Sequence, residues 1–530
     1  MTHIKDNDPV GLRVMGNLLE SVAEEMGTAL ERSGVSPNIK ERRDHSCAIF
    51  DRNAELVAQA AHIPVHLGAM PISVSAAAQH CPLNEGDIVV LNDPQLGGTH
   101  LPDITTVQAY RAHPEDESPI AYLATRAHHS DVGGSVPGSM GITDSLDKEG
   151  VIIPPTTWVA GGERVLDVEK KLLSPMRNYD ERIGDLLAQR AALEVGKRGL
   201  QRIIERLGST ALCQGFRRLQ DSADRHVRSL LRKIPDGKYQ AIEHLESDGF
   251  NQQPMKICVS IEMDGENARF DFSGTDNACK GPLNCNAAVV YSAVQYLIRC
   301  IAGEEVPSSG GTLRAITIDI PQGSLLDPPS GSPVAGGNVE TSQRLVDVLL
   351  KALAPALPEI IPAQSQGTMN NLVIGNDHGA HYETIGGGCG AGPARHGASG
   401  LHVHMTNTRN TPIERLEHTL PVRMTHFGLR KMSGGKGHHC GGDGIIREFE
   451  MLEPMEISIL SERRQLPPQG LAGGEDGLTG NNLKIRPTGI EALPAKWQGK
   501  VEAGDRVRIE TPGGGGWGKL EPSDVSEKQK

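Results

Sequence analysis

Large aromatic rings are what this chain has least of. Phe, Tyr and Trp together make up 3% of its 530 residues, which removes the stacking platforms on which single-stranded nucleic acid is held. Positive charge is also thin: no Lys/Arg run stands out, and the formal net charge is −13. A phosphate backbone or an anionic membrane therefore finds little to attract it. No window reaches 18 consecutive apolar residues, the length at which a membrane span becomes the natural reading. The stretch MTHIKDNDPV lacks the apolar core of a signal peptide. Nine cysteines are present without a close C-x-x-C pair, which fits reduced thiols in a cytoplasm better than a disulfide framework. Neither a complete P-loop nor a G-x-S-x-G elbow occurs, and no credible Ser-His-Asp arrangement emerges from the order of residues.

What the chain does have is length, glycine (62 residues) and proline (34). At roughly 100–200 residues per domain, two to four domains are expected. Asp8-Pro9 opens a helix, Asp as N-cap and Pro at the first position. Met15, Leu18, Leu19, Val22, Met26, Ala29 and Leu30 then recur at helical spacing before Gly34 ends it. Cys47 and Ile49 suggest a strand, Asp51 to Asn53 a turn into another. Ile88 to Leu91 and Ile120 to Ala127 read as further strands. Residues 175–207 and about 210–236 are helical, and a boundary follows near Pro235-Asp236-Gly237. Beyond it the pattern turns to alternating strands, interrupted by helices over about 286–302 and from Asn338 to just before Pro355. From 364 onward glycine is dense. The expected class is α+β with mixed sheets: an N-terminal α/β domain over 1–235, a strand-rich and Gly-rich part over 236–518, and a disordered tail over 519–530.

Chemistry concentrates in two loops. NDPQLGGTHLPD (92–103) contains His100-x-x-Asp103, and RAHHSDVGG (126–134) contains His128, His129 and Asp131. Imidazole and carboxylate are the ligands of a divalent metal that keeps one position open, though HxxD alone is also what an ordinary polar loop contains. Along an extended chain neighbouring side chains point to opposite faces, so His128 and His129 do not both reach one ion. Either His128 is the ligand, or His129 is, with Asp131 on its face. Asp44-His45 offers another acid and imidazole, and a solvated turn is the plain alternative. Asp93 before Pro94 reads as a turn residue. Cys279 with Cys285, and His438-His439-Cys440, lack the second pair of a structural zinc site. GGGCGAGPARHG (386–397) has backbone amides able to hold an anion but not the Lys-Ser/Thr of a P-loop, and TPGGGGWG (511–518) reads as a conformational turn.

Taken together, NDPQLGGTHLPD, RAHHSDVGG, DFSGTD, GGNVETSQR, YETIGGGCGAG, HMTNTRNTPIE, SGGKG with GGDG, SERR and TPGGGGWG, in this order from about residue 8 to 518, resemble the hydantoinase B/oxoprolinase family. The resemblance implies a cytoplasmic, metal-containing subunit of an ATP-dependent hydrolase that opens cyclic amides such as hydantoins, 5-oxoproline or lactams. It implies a hydantoinase A-type large subunit as partner, handling ATP and Mg within a hetero-oligomer such as a heterotetramer. Carried onto this chain, the metal ligands are Asp44, His100, Asp103 and His128, and the ion is Zn, Mn or Fe. His129 and Asp131 are the expected catalytic acid–base or orienting pair. The substrate, phosphorylated by the partner, would be attacked by water here. Two alternatives remain: a subunit of an acetone- or acetophenone-type carboxylase, and a non-catalytic scaffold.

Overall fold

Residues 45–51 show why the site lies where it does. Cys47 and Ile49 point into one apolar cluster, Ala48 and Phe50 into another, so β1 (His45–Asp51) lies between two layers. The computed structural model describes residues 9–113, 115–303, 306–376 and 379–520. Strands β1, β2 (Leu56–Ala61), β3 (Ile88–Leu91), β4 (Asp103–Tyr110), β5 (Ala121–His128), β6 (Thr156–Ala160) and β7 (Glu163–Arg164) form one sheet in the order β2-β1-β5-β4-β3-β6-β7. Every pairing is antiparallel. Helices Pro9–Ser33, Tyr179–Leu207 and Ser209–Leu231 cover one face, and helix Met70–His80 covers the other.

The strand β4 has no counterpart in the sequence expectation, which passed from β3 directly to β5. It lies between them, so those two are not neighbours. Its pattern DITTVQAY hides it, because the polar residues are buried and paired. Thr106 Oγ1 meets Thr125 Oγ1 at 2.7 Å, and Arg126 Nε donates to Thr105 Oγ1 at 2.9 Å. Buried polar groups with partners cost little, so alternation is not required.

The expected helices form with shifted ends. The first begins at Pro9, Asp8 lying outside the described residues. The long pair spans Tyr179–Leu207 and Ser209–Leu231, the second stopping five residues short of expectation. The helix Ala287–Ala302 is capped by Asn286, whose Oδ1 accepts from Val289 N at 3.3 Å. The stretch from Asn338 opens as a π-helical turn, Gly337–Thr341, before α-helix Ser342–Leu353. These two helices pack on a four-stranded sheet of Gly237–Leu245, Met255–Asp264, Asn267–Asp271 and Ile316–Asp319. Two further sheets, of four and five strands, enclose a C-terminal core around Phe449, Ile457 and Val507. The class is mixed α and β, as expected. Of the expected disordered tail, residues 521–530 lie outside the described residues.

The Gly-rich segments depart from expectation. Gly513 to Gly516 form no turn and have no positive φ. They run extended among other Gly-rich segments, their amides bonded to three of them: Gly513 N to Leu478 O and Gly516 N to Glu475 O in one, Gly514 N to Gly442 O in a second, Gly515 N to Gln364 O in a third, at 2.8–3.1 Å. A Cβ on any of the four would fall 1.9–2.2 Å from a neighbouring carbonyl oxygen. Glycine is needed here for close approach of backbones. The same packing removes the anion cradle. Gly387, Gly388, Cys389 and Ala391 donate their amides to carbonyls, and Gly390 donates to Ser365 Oγ.

Candidate metal centre

The loop after β3 is built to turn back on itself. Asp93 Oδ1 accepts from Gln95 N at 2.9 Å, the short 3-10 turn Pro94–Leu96 follows, and Gly97 takes a left-handed φ of 89°. A Cβ on Gly98 would stand 2.1 Å from Asn92 O. Asn92 Nδ2 closes the loop on Leu101 O at 2.8 Å, and Asn286 Nδ2 holds Gly98 O at 2.7 Å. The glycines therefore deliver Thr99 and His100 to the head of β4.

Strand register does the rest. Asp103 pairs with His128 across β4 and β5, and His128 N bonds Asp44 O at 3.0 Å just before β1. Period-two alternation then sets Asp44, Asp103 and His128 on one face. His100 Nε2 lies 3.1 Å from Asp103 Oδ1, His128 Nδ1 lies 3.3 Å from the same oxygen, and the two nitrogens are 3.2 Å apart. Asp44 Oδ2 stands 4.0 Å from His128 Nδ1 and 3.8 Å from Arg42 Nη2, one step further out. All four border a cavity of about 20 Å³, whose wall includes Ile63, Val65, His66, Asn338, Met369 and Met405.

His128 turns toward this cavity and His129 away from it. His129 Nε2 is 3.0 Å from Gln189 Oε1 on the helix behind the sheet, and burial pushes its pKa down to about 4. Asp131 is also elsewhere. Its oxygens accept from Gly133 N, Gly138 N, Arg177 N and Arg177 Nη1 at 2.8–3.1 Å, knotting the loop after β5. The acid–base roles expected of these two residues therefore have no geometric basis at this cavity. His45 also faces the other side, beside His62, and burial lowers its pKa to about 3.

The electrostatics suit a cation. Burial opposes the charge on Asp103, yet His100 and then the other imidazoles hold its pKa well below the usual carboxylate range. Burial disfavours a protonated His100 too, but the Asp103 carboxylate outweighs it and raises the pKa. His128 is lowered, chiefly by burial. Ligand atoms about 2.1 Å from one tetrahedral ion stand roughly 3.4 Å apart, close to the spacings found. Asp103 Oδ1 receives no hydrogen bond. Two imidazoles and one carboxylate, buried and converging, fit a divalent metal. Among the described residues this is the one group of three or more such side chains whose ligand atoms lie within 4.8 Å of one another.

Two neighbours escaped the sequence reading. His66, in the 3-10 turn Pro64–His66, reaches Asp103 Oδ2 with Nε2 at 3.3 Å. Tyr382 stacks on His128 with ring centroids 4.9 Å apart and planes at 16°, and the Arg42 guanidinium lies over the same tyrosine at 4.6 Å. No spacing marks either one. His66 lies in the apolar-looking stretch HIPVHLG, and Tyr382 is 254 positions from its partner.

The family model of hydantoinase B/oxoprolinase matches residues 8–520. The chain belongs to the hydantoinase B/oxoprolinase family. 5-Oxoprolinase 1 of Arabidopsis thaliana is 39% identical over 537 residues, covering 96% of this chain and 42% of that protein. An uncharacterized protein of Methanocaldococcus jannaschii is 37% identical, with 98% and 92% covered. The chain thus spans about two-fifths of several curated family members (41% and 42% of two of them) and nearly all of another. The crystal structure of ATP-dependent caprolactamase from Pseudomonas jessenii superposes with a TM-score of 0.90 at 28% identity, covering 99% of this chain and 94% of that one. Nucleotide-free acetone carboxylase shares the fold, with a TM-score of 0.87 at 15% identity, covering 100% and 78%. Among the described residues no helix is long and apolar enough to cross a membrane.

Proposed function

We propose that this chain is the metal-bearing part of an ATP-dependent enzyme that hydrolyses a small cyclic amide. The observation that carries the reading is the convergence of His100 Nε2, His128 Nδ1 and Asp103 Oδ1 in one buried cavity. The names of its relatives support the substrate class: 5-oxoproline and caprolactam are both rings closed by an amide.

An amide resists water because its nitrogen donates electron density to the carbonyl. Phosphorylation of the amide oxygen removes that resistance, and we assign it to a hydantoinase A-type partner that holds ATP and Mg. His100, Asp103 and His128 would hold a divalent ion, Zn, Mn or Fe, while Asp44, the other expected ligand, borders the site 4.0 Å from His128 Nδ1 and stands outside the group of mutually close ligand atoms. Such an ion supplies Lewis acidity and brings the pKa of water toward neutrality. The chain's own side chains do the positioning. Ile63, Val65, Met369 and Met405 line the cavity with apolar surface, and at about 20 Å³ it has room for an ion or a single water, with Asn338, Thr406 and Thr408 as polar groups in its wall. We place the complex in the cytoplasm as a hetero-oligomer.

Co-expression with the partner, metal analysis and a panel of hydantoin, 5-oxoproline and caprolactam test this reading. The expected result is stoichiometric transition metal and ATP-dependent opening of at least one ring. A complex without metal whose ligand variants alter assembly before turnover would instead support a scaffold.

A further inference from the structure

Asp103 gives its two oxygens to different partners. Oδ1 sits between His100 and His128. Oδ2 accepts from the Thr99 hydroxyl and lies 3.3 Å from His66 Nε2. His66 Nδ1 is in turn 3.0 Å from Ser46 Oγ. Ser46, His66, Thr99 and Asp103 are all buried. A carboxylate only accepts, so Nε2 carries a proton, and Nδ1 shares a hydrogen bond with the Ser46 hydroxyl.

The backbone around His66 is fixed from both sides. Ser46 is two positions after Asp44 and shares its face of the sheet. Leu67 N bonds Pro64 O at 3.0 Å across the 3-10 turn. Gly68 N then donates to Ser292 Oγ at 3.0 Å, and a Cβ on Gly68 would stand 2.6 Å from Ser292 N.

A serine, a histidine and an aspartate in line suggest a hydrolytic triad, but the geometry argues otherwise. Ser46 does not border the cavity, whereas His66 and Asp103 do. The acid holds Nε2 and the serine Nδ1, the reverse of the protease arrangement. His66 also stands outside the three side chains whose ligand atoms are mutually within reach.

We propose that His66 is a positioning residue for the metal centre. Anchored by Ser46, it ties Asp103 Oδ2 so that Oδ1 alone is presented to His100 and His128. This rests on the metal-centre reading above. Without His66 only the Thr99 hydroxyl holds Oδ2, and a carboxylate loosened in this way can turn its second oxygen inward and close the position that the chemistry needs open. Partners that orient a ligand in this way are commonly worth 10–100-fold in metal affinity.

The test uses the intact chain with zinc or cobalt(II) alone, without partner or substrate. Zinc affinity is read by competition with a chromogenic chelator, and cobalt coordination by visible absorption. His66→Ala is expected to lose about 10–100-fold in zinc affinity and to show a weaker cobalt band, because Oδ2, left with the Thr99 hydroxyl alone, can turn to the ion and raise the coordination number. His66→Gln, whose side-chain amide can still donate to Oδ2, restores most of the affinity and the wild-type spectrum. Ser46→Ala gives an intermediate loss. Unchanged affinity and spectrum in His66→Ala overturn the proposal, and so does His66→Gln behaving as badly as alanine, which marks a direct ligand. Should His66→Ala fail to fold, Ser46→Ala decides, wild-type affinity there overturning the idea. A wild-type chain that binds neither metal stoichiometrically removes the metal-centre reading itself, and this inference with it.

Discussion

Asp103 and His128 stand directly opposite each other on paired antiparallel strands, and their side chains meet with Oδ1 3.3 Å from Nδ1. One residue opens β4 and the other closes β5, so two loops far apart in sequence meet at one end of a sheet.

His128→Ala and His129→Ala separate the two faces of β5. The first is expected to lower metal affinity by more than about 100-fold, a larger loss than for an outer-sphere partner. The second leaves metal content intact but strands the Gln189 amide oxygen, costing about 1–3 kcal/mol. Metal analysis together with chemical denaturation distinguishes them.

His100→Ala removes the imidazole nearest Asp103 and should abolish both metal retention and ring opening by the complex. The far-UV circular dichroism should stay unchanged, since the loop is held by Asn92 and Asn286 rather than by the ring. A variant that keeps its metal and full activity contradicts the ligand set.

Gly514→Ala places a methyl 2.0 Å from Cys389 O within the Gly-rich bundle. The neighbour is backbone and cannot swing aside, so a loss of about 3 kcal/mol or more is expected, at the upper end for overpacking. Gly504→Ala is the control, because nothing lies within 4 Å of its Cβ, although its φ of 86° still costs something. Denaturation midpoints should rank the two accordingly.

Glu383 sets an acid limit on stability. Burial raises its pKa, but the Arg447 guanidinium, bonded at 2.5 and 2.8 Å, outweighs burial and holds it at about 2. A depressed carboxylate contributes stability that is fully present above its unfolded value near 4.5 and is lost as pH falls through about 2. The contribution is roughly 3 kcal/mol. Glu383→Gln should cost about 3–5 kcal/mol at neutral pH by leaving Arg447 buried without its counter-ion, and should flatten the stability profile between pH 4.5 and 2.

Much of this was legible in the sequence where local chemistry acts alone. Pro9 and Gly34 bracket the first helix, and the alternation of Cys47 and Ile49 marks β1. His100-x-x-Asp103 survives because a single loop sets both residues. The parity of His128 and His129 could not be read, since period two separates them without saying which face holds the cavity. The strand β4 hid because Thr105, Thr106 and Gln108 are buried polar residues, which pattern reading treats as exposed. His66 and Tyr382 act only through tertiary contact. The glycines of TPGGGGWG could not announce their role either, because a turn and close-packed extended backbones both require a missing Cβ.

The most direct measurement is X-ray absorption or anomalous diffraction at the metal edge on the purified complex. The account predicts one ion per chain, bound at about 2.0–2.2 Å by His100 Nε2, His128 Nδ1 and Asp103 Oδ1. A stoichiometric ion ligated by other residues, or none at all, would contradict it.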